Sequence, residues 1–299
     1  MPHVIVTTGL TKRFGLVTAV DGLTISVEQG EIYALLGLNG AGKSTVIRML
    51  LGMTRPSGGV ARVLGADARR AGPRTWERVG YLIESATAYP ELTVRENVEV
   101  AARLRNVGNG RAVDRVMERV RLGPYAHRRA GTLSAGNAQR LGLAKAMVHD
   151  PDLLILDEPA SYLDPAGVVE IRGLLRSLAS ERGVTALVSS HALPEVQRLG
   201  ARVGIIHEGR LVEELPSETP RRLVVDARDR DAARSVLSGA GFAVAAGPGG
   251  LLLVDDRRAL ERPDDVASLL VAAGAPPTLL RVEEEDLESR FLRAVGSVR

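Results

Sequence analysis

Cysteine is absent from this 299-residue chain, which excludes a disulfide framework, a thiolate zinc site and a cysteine nucleophile, and fits a reducing cytosolic setting. Chemistry must come from oxygen, nitrogen or bound metal. Lysine is nearly absent as well. Lys12, Lys43 and Lys145 are three lysines among 39 basic residues, the rest being arginine, so each lysine stands out. Neither sign of charge dominates: 39 basic and 36 acidic side chains leave a formal net charge of +3, and no long basic run occurs. A nucleic-acid partner is therefore not expected. The opening Met1-Pro2-His3-Val4 lacks the basic-then-apolar order of a secretion signal, so the chain is expected to stay in the cytoplasm. One uncharged stretch, Ser235 to Val254, has about the length of a membrane span. Gly239, Gly241, Gly247, Pro248, Gly249 and Gly250 break it into helix end, strand, turn and strand.

What is present is the pattern of an α/β domain with a mainly parallel sheet: short apolar runs alternating with amphipathic stretches. Three runs share a design. Glu31 to Leu36 ends in a glycine-rich loop, Leu153 to Leu156 ends in Asp157-Glu158, and Thr185 to Val188 ends in Ser189-Ser190-His191. Continuous apolar runs read as buried parallel strands, and ligands bind beyond the carboxyl ends of such strands, so the three polar clusters are expected to converge. Val4 to Leu10 and Leu23 to Val27 read as antiparallel strands added at an edge. Helical spacing of Val94, Val98 and Ala101-Ala102, then of Val113, Val116-Met117 and Val120, marks a helical insertion within about 84–149. Ile205 to Val212 reads as a hairpin turning at Gly209. Pro216 and Pro220 then mark a boundary, giving domains at 1–218 and 219–299. The second has a βαββαβ order, similar to a ferredoxin-like sandwich, and ends in a helix with the apolar stripe Leu287, Phe291, Leu292 and Val295.

Gly37-Leu38-Asn39-Gly40-Ala41-Gly42-Lys43-Ser44-Thr45 fits G-x-x-x-x-G-K-S/T, preceded by a strand and followed by a helical run. The glycines let backbone N–H groups face phosphates, Lys43 bridges phosphate oxygens as a compact charge, and Ser44 ligates Mg²⁺. Asp157 supplies a carboxylate for the magnesium shell, and Glu158 one placed to orient or deprotonate water. His191, after the third strand, is expected to reach the γ-phosphate.

Leu133-Ser134-Ala135-Gly136-Asn137-Ala138-Gln139-Arg140 is similar to the signature L-S-G-G-Q with its trailing Q-R, so residues of about 3–215 resemble the ATP-binding subunits of ABC transporters. The resemblance implies that Phe14 stacks on adenine and that Gly37, Asn39, Gly40, Ala41, Gly42, Lys43, Ser44 and Thr45 hold the phosphates. It makes Ser134 and Gly136 the donors offered across a dimer to the other copy's γ-phosphate, with Asn137 beside them among the nucleotide-binding residues. Glu158 becomes the general base, Asp157 a Mg²⁺ carboxylate, His191 the switch histidine and Asp164 the acid of the dimer-crossing loop. Three departures stand out: Ala135 and Asn137 in the signature, Tyr162 where a small residue is usual, and Glu84 where the family has glutamine near the metal. Glutamate there resembles the exporters for bacitracin and lantibiotics, and the ending Glu285 to Leu292 resembles L-E-x-x-F-L of drug-exporter ATPases, including daunorubicin-type ones.

The resemblance thus implies an ATPase using ATP and Mg²⁺, closing as a homodimer and moving Glu84 to Asn97 against an integral-membrane permease. It would sit at the cytoplasmic face of the cell membrane and export an antibiotic, peptide or other amphipathic compound. The competing reading is a soluble ABC-type ATPase acting on a ribosome or nucleic-acid complex. Such proteins usually join two nucleotide-binding domains, whereas this chain carries one G-K-S/T loop.

Overall fold

The computed structural model describes residues 2–83, 87–108, 110–217, 221–284 and 287–296. They fall into two compact units, one of Met1–Glu218 with Ala294–Arg299 and one of Thr219–Arg293.

The first unit runs in order through β1 (His3–Phe14), β2 (Val17–Leu23), β3 (Ser26–Glu28), β4 (Ile32–Leu36), α1 (Lys43–Leu50), β5 (Gly58–Val63), β6 (Ala66–Asp67), α2 (Pro73–Trp76) and β7 (Val79–Leu82). It continues through α3 (Val94–Leu104), α4 (Gly110–Arg119), α5 (Ala135–Met147), β8 (Leu153–Leu156), α6 (Pro165–Arg182), β9 (Thr185–Ser190), α7 (Leu193–Leu199), β10 (Arg202–His207) and β11 (Arg210–Leu215). Six strands form one sheet in the order β11-β10-β4-β9-β8-β7, parallel except for β11. Every residue of β4, β8 and β9 is buried, as expected of strands covered on both faces. Because β4, β9 and β8 are neighbours, their carboxyl ends and the three polar clusters share one edge.

The antiparallel strands do not extend that sheet. They form their own, in the order β2-β1-β5-β6 with β3 also on β1. The expected single strand Leu23 to Val27 is split, and buried Thr7 shows why. Its hydroxyl donates to Leu23 O and accepts from Ile25 N, both at 3.0 Å, while its own N–H donates to Ile25 O at 2.8 Å. A side chain takes bonds that a continuous ladder would have used.

In the helical insertion, Thr93 and Glu96 close a reciprocal capping box on α3. Fully buried Asn97 fastens the preceding turn: it accepts from Tyr89 N at 2.8 Å and donates to Tyr89 O and Thr93 O at 3.0 Å and to Leu92 O at 3.3 Å. Tyr89 O, Leu92 O and Thr93 O also accept from backbone N–H groups, so Asn97→Ala leaves Tyr89 N as the group without its partner and is expected to lower unfolding free energy by about 1–3 kcal/mol, read from urea midpoints. His149, after α5, has its Nε2 3.2 Å from Val79 O, and its buried Nδ1 has no partner among the described residues. Burial first, then the Arg105 charge, lowers its pKa from 6.5 to about 4, against smaller opposing effects of Val79 O and Asp150. The unfolded chain then takes up the proton first, so stability is lost as pH falls from 6.5 to about 4. His149→Gln is expected to flatten that acid limb of a plot of urea midpoint against pH.

The second unit contains β12 (Arg221–Ala227), α8 (Arg230–Gly239), β13 (Val244–Ala246), β14 (Leu252–Val254), α9 (Arg257–Glu261), α10 (Pro263–Ala272) and β15 (Pro277–Glu284), and α11 (Leu287–Gly296) closes the described chain. Its antiparallel sheet runs β13-β14-β12-β15, the strand order of a split βαβ sandwich. Leu223, Val225 and Ala227, on one face of β12, share a core with Leu237 of α8 and Val266 and Leu270 of α10. No described helix is long and apolar enough to cross a membrane.

Candidate functional site

The loop between β4 and α1 is shaped by its glycines. Gly42 has φ 104°, and a Cβ there would stand 2.4 Å from Ala19 O; at Gly37 a Cβ would stand 2.4 Å from Ile206 O. Only glycine permits both the backbone angle and the approach. The chain then enters α1, whose first-turn N–H groups have no helical partner and face the loop. Lys43 is 6% exposed; its ammonium donates to Gly37 O at 2.6 Å and Leu38 O at 3.3 Å and lies 3.5 Å from Glu158 Oε1. Leu38, Asn39 and Gly40 form the exposed rim, Ala41 is buried, and Ser44 and Thr45 are half-buried on the first turn of α1.

At the end of β8, Asp157 is 3% exposed and accepts from Ser189 Oγ at 2.5 Å. The same Oγ accepts from Glu158 N at 2.9 Å, so one hydroxyl of β9 fixes both acidic residues. Gln139 of α5 donates to Glu158 O at 3.0 Å. These bonds hold Glu158 at φ 50°, a left-handed conformation costing about 1–2 kcal/mol. Its Oε2 lies 2.9 Å from His191 Nδ1. A carboxylate can only accept, so this contact puts the proton on Nδ1. Glu195 of α7 stands nearby; burial and then the Glu158 charge push its carboxyl above the ordinary range, while His191 and Arg172 pull it down. Lys43, Asp157, Glu158 and His191 thus meet at one place. Ser189 and Gln139, which hold the acids, were not singled out from the sequence. Ser189 had a signal in its place at the end of the third apolar strand, and Gln139 in the signature.

The other expected site residues lie in two further places. Ser134 caps α5, accepting from Asn137 N at 3.3 Å. Ala135 is the first helical residue, with no left-handed angle, so its methyl fits. Ser134, Gly136, Asn137 and Asp164 line one cleft with Tyr162, Arg140 and Glu170. There Asp164 acts as cap of α6, accepting from Gly167 N at 2.9 Å. Phe14 stands at the tip of the β1–β2 hairpin, 53% exposed. Glu84 lies outside the described residues. In a separate groove four exposed apolar side chains, Met53, Tyr81, Tyr89 and Leu104, meet Arg48, Arg105 and Lys145. Lys145 donates to Thr87 O at 2.5 Å, and burial lowers its pKa.

Comparison with known proteins shows the family. The ABC transporter family profile matches residues 20–161. The bacitracin transport ATP-binding protein BcrA of Bacillus licheniformis is 45% identical over 216 residues, 72% of this chain and 71% of that protein. The chain belongs to the ABC transporter ATP-binding proteins. Nod factor export ATP-binding protein I of Burkholderia lata is 40% identical over 206 residues, 68% of this ABC ATPase and 67% of that one. A structure of an ATP-binding subunit of an ABC transporter superposes with a TM-score of 0.66 at 26% identity, covering 71% of this chain and 90% of that one. The dimeric post-hydrolysis structure of the cassette MJ0796 with ADP and Pi shares the fold, with a TM-score of 0.66, 22% identity and coverage of 72% and 99%.

Proposed function

We propose that this ABC ATPase powers an exporter of an amphipathic peptide or antibiotic through a separate membrane subunit. The observation that carries the ATPase chemistry is the meeting of Glu158, His191 and Lys43 beside the phosphate loop. Phosphate in the loop draws Lys43 off its carbonyls and away from Glu158 Oε1. Glu158 then orients and deprotonates the attacking water, while His191 holds the carboxylate through Oε2. Loop N–H groups, Lys43 and the N-terminus of α5 from a second copy stabilise the charge that develops on the γ-phosphate.

The residues fit Mg²⁺. Buried Asp157 and the Ser44 hydroxyl at the start of α1 are hard oxygen donors, the kind that hold this ion together with phosphate and water. Bound there, the ion would neutralise phosphate charge. Glu84 is proposed as a further oxygen donor.

Two copies would sandwich ATP between one phosphate loop and the other copy's Ser134, Gly136 and Asn137, with the Asp164 loop crossing between them. The groove of Tyr81, Tyr89 and Lys145 would receive the permease and place the chain at the cytoplasmic face of the membrane. Export of an antibiotic is supported by the likeness to a bacitracin transport ATP-binding protein and a Nod factor export ATP-binding protein. The second unit is accessory, because every residue of the ATP chemistry lies between Phe14 and His191.

A test is to introduce Glu158→Gln into the host's own gene and challenge the cells with bacitracin and other amphipathic peptide antibiotics. Greater sensitivity to at least one supports export. Unchanged sensitivity to all of them, with the protein present at normal level, overturns it.

A further inference from the structure

Lys43 sits in the phosphate loop and Lys145 in the groove, while Lys12 lies at neither. Its ammonium lies 4.7 Å from the centroid of the Phe14 ring and donates to Arg55 O at 2.8 Å. Residues two apart on a strand share a face, so Lys12 reaches the ring from the same side of β1. The ring sits beyond Thr11↔Gly58, the last register pair of β1 with β5, on a hairpin tip held by β2 through two register shifts. Such a tip is a poor support for a stacking platform. What anchors it is a set of bonds to residues 55–57: Lys12 to Arg55 O, Arg13 N to Ser57 Oγ at 3.0 Å, and Ser57 N to Thr11 O at 2.8 Å. That segment follows α1, the helix that begins with Lys43.

We propose that Lys12 is a positioning residue for the nucleotide base. It occupies one face of Phe14, leaves the other face for adenine, and ties the ring to the segment leaving the phosphate-binding helix, so that the base and phosphate subsites keep a fixed spacing. Lysine suits the task in an arginine-rich chain, because a compact ammonium with three donors can bond a carbonyl and face a ring together. The inference rests on the reading of Phe14 as the adenine contact.

The experiment uses the full chain carrying Glu158→Gln, which is expected to slow turnover, and measures Mg²⁺-ATP and Mg²⁺-tripolyphosphate affinity by calorimetry. The variants are Lys12→Met, Phe14→Ala and the pair. Lys12→Met is expected to weaken ATP binding by about two- to fivefold, to leave tripolyphosphate binding unchanged, and to add nothing once Phe14 is Ala. An unchanged or tighter ATP affinity in Lys12→Met, or full additivity with Phe14→Ala, overturns the inference while a loss in Phe14→Ala keeps the adenine contact. If Phe14→Ala binds ATP as the parent does, the adenine reading falls and this inference falls with it. Thermal melting of each variant separates a loosened fold from a lost base contact.

Discussion

Glu158→Gln is expected to lower ATP turnover by about 10²–10⁴-fold while ATP still binds. The amide keeps the shape of the side chain and cannot take a proton from water. It also exchanges the charged contacts with His191 and Lys43 for neutral ones, at 2.9 and 3.5 Å in the native chain. The backbone supports through Ser189 and Gln139 do not involve the altered atoms, so the loop stays in place. Phosphate release under saturating ATP, with nucleotide binding measured beside it, checks both halves. Equal rates for the two proteins would remove Glu158 from the chemistry.

Lys43→Met is expected to fail earlier, at binding. The ammonium is buried against the two loop carbonyls and is the one positive side chain placed in the phosphate loop itself. Losing charge-assisted bonds to phosphate costs about 2–4 kcal/mol, or roughly 30- to 1000-fold in ATP affinity. Gly37 O also loses the ammonium that donates to it, while Leu38 O keeps its bond from Ala41 N, so a small loss of stability without nucleotide should accompany it. Calorimetric titration with ATP reads the first effect and thermal melting the second.

The two substitutions act at neighbouring atoms and separate binding from turnover. That separation was legible in the residues because the phosphate loop and the Asp157-Glu158 pair each follow a continuous apolar run. A fully buried strand leaves such a run in any sequence, and parallel neighbours bring their carboxyl ends together. The antiparallel sheet was less legible. β5 reads Gly58-Gly59-Val60-Ala61-Arg62-Val63, whose glycines hide its strand character, and without it the second side of β1, which makes these strands a sheet of their own, is not visible. The split between β2 and β3 depends on the Thr7 hydroxyl, a long-range contact that local periodicity does not carry.

Within the site, residue types marked by composition or motif were found and their supports were not. Serine and glutamine have too many ordinary uses for Ser189 and Gln139 to stand out, although they decide where Glu158 points. Asp164 shows the same limit from the other side: its carboxylate is engaged as a helix cap, with Pro165 behind it as the first helical residue. Any part it takes in a dimer would come through the loop it anchors.

The central claim is that ATP binding here is coupled to a membrane partner. The most direct measurement is affinity capture of the Glu158→Gln chain from detergent-solubilised native membranes in the presence of ATP, with mass spectrometry of what accompanies it. The account predicts a stoichiometric integral membrane protein, reduced when Lys145→Glu reverses charge in the groove. Recovery of soluble partners alone, repeated in milder detergents, would contradict it.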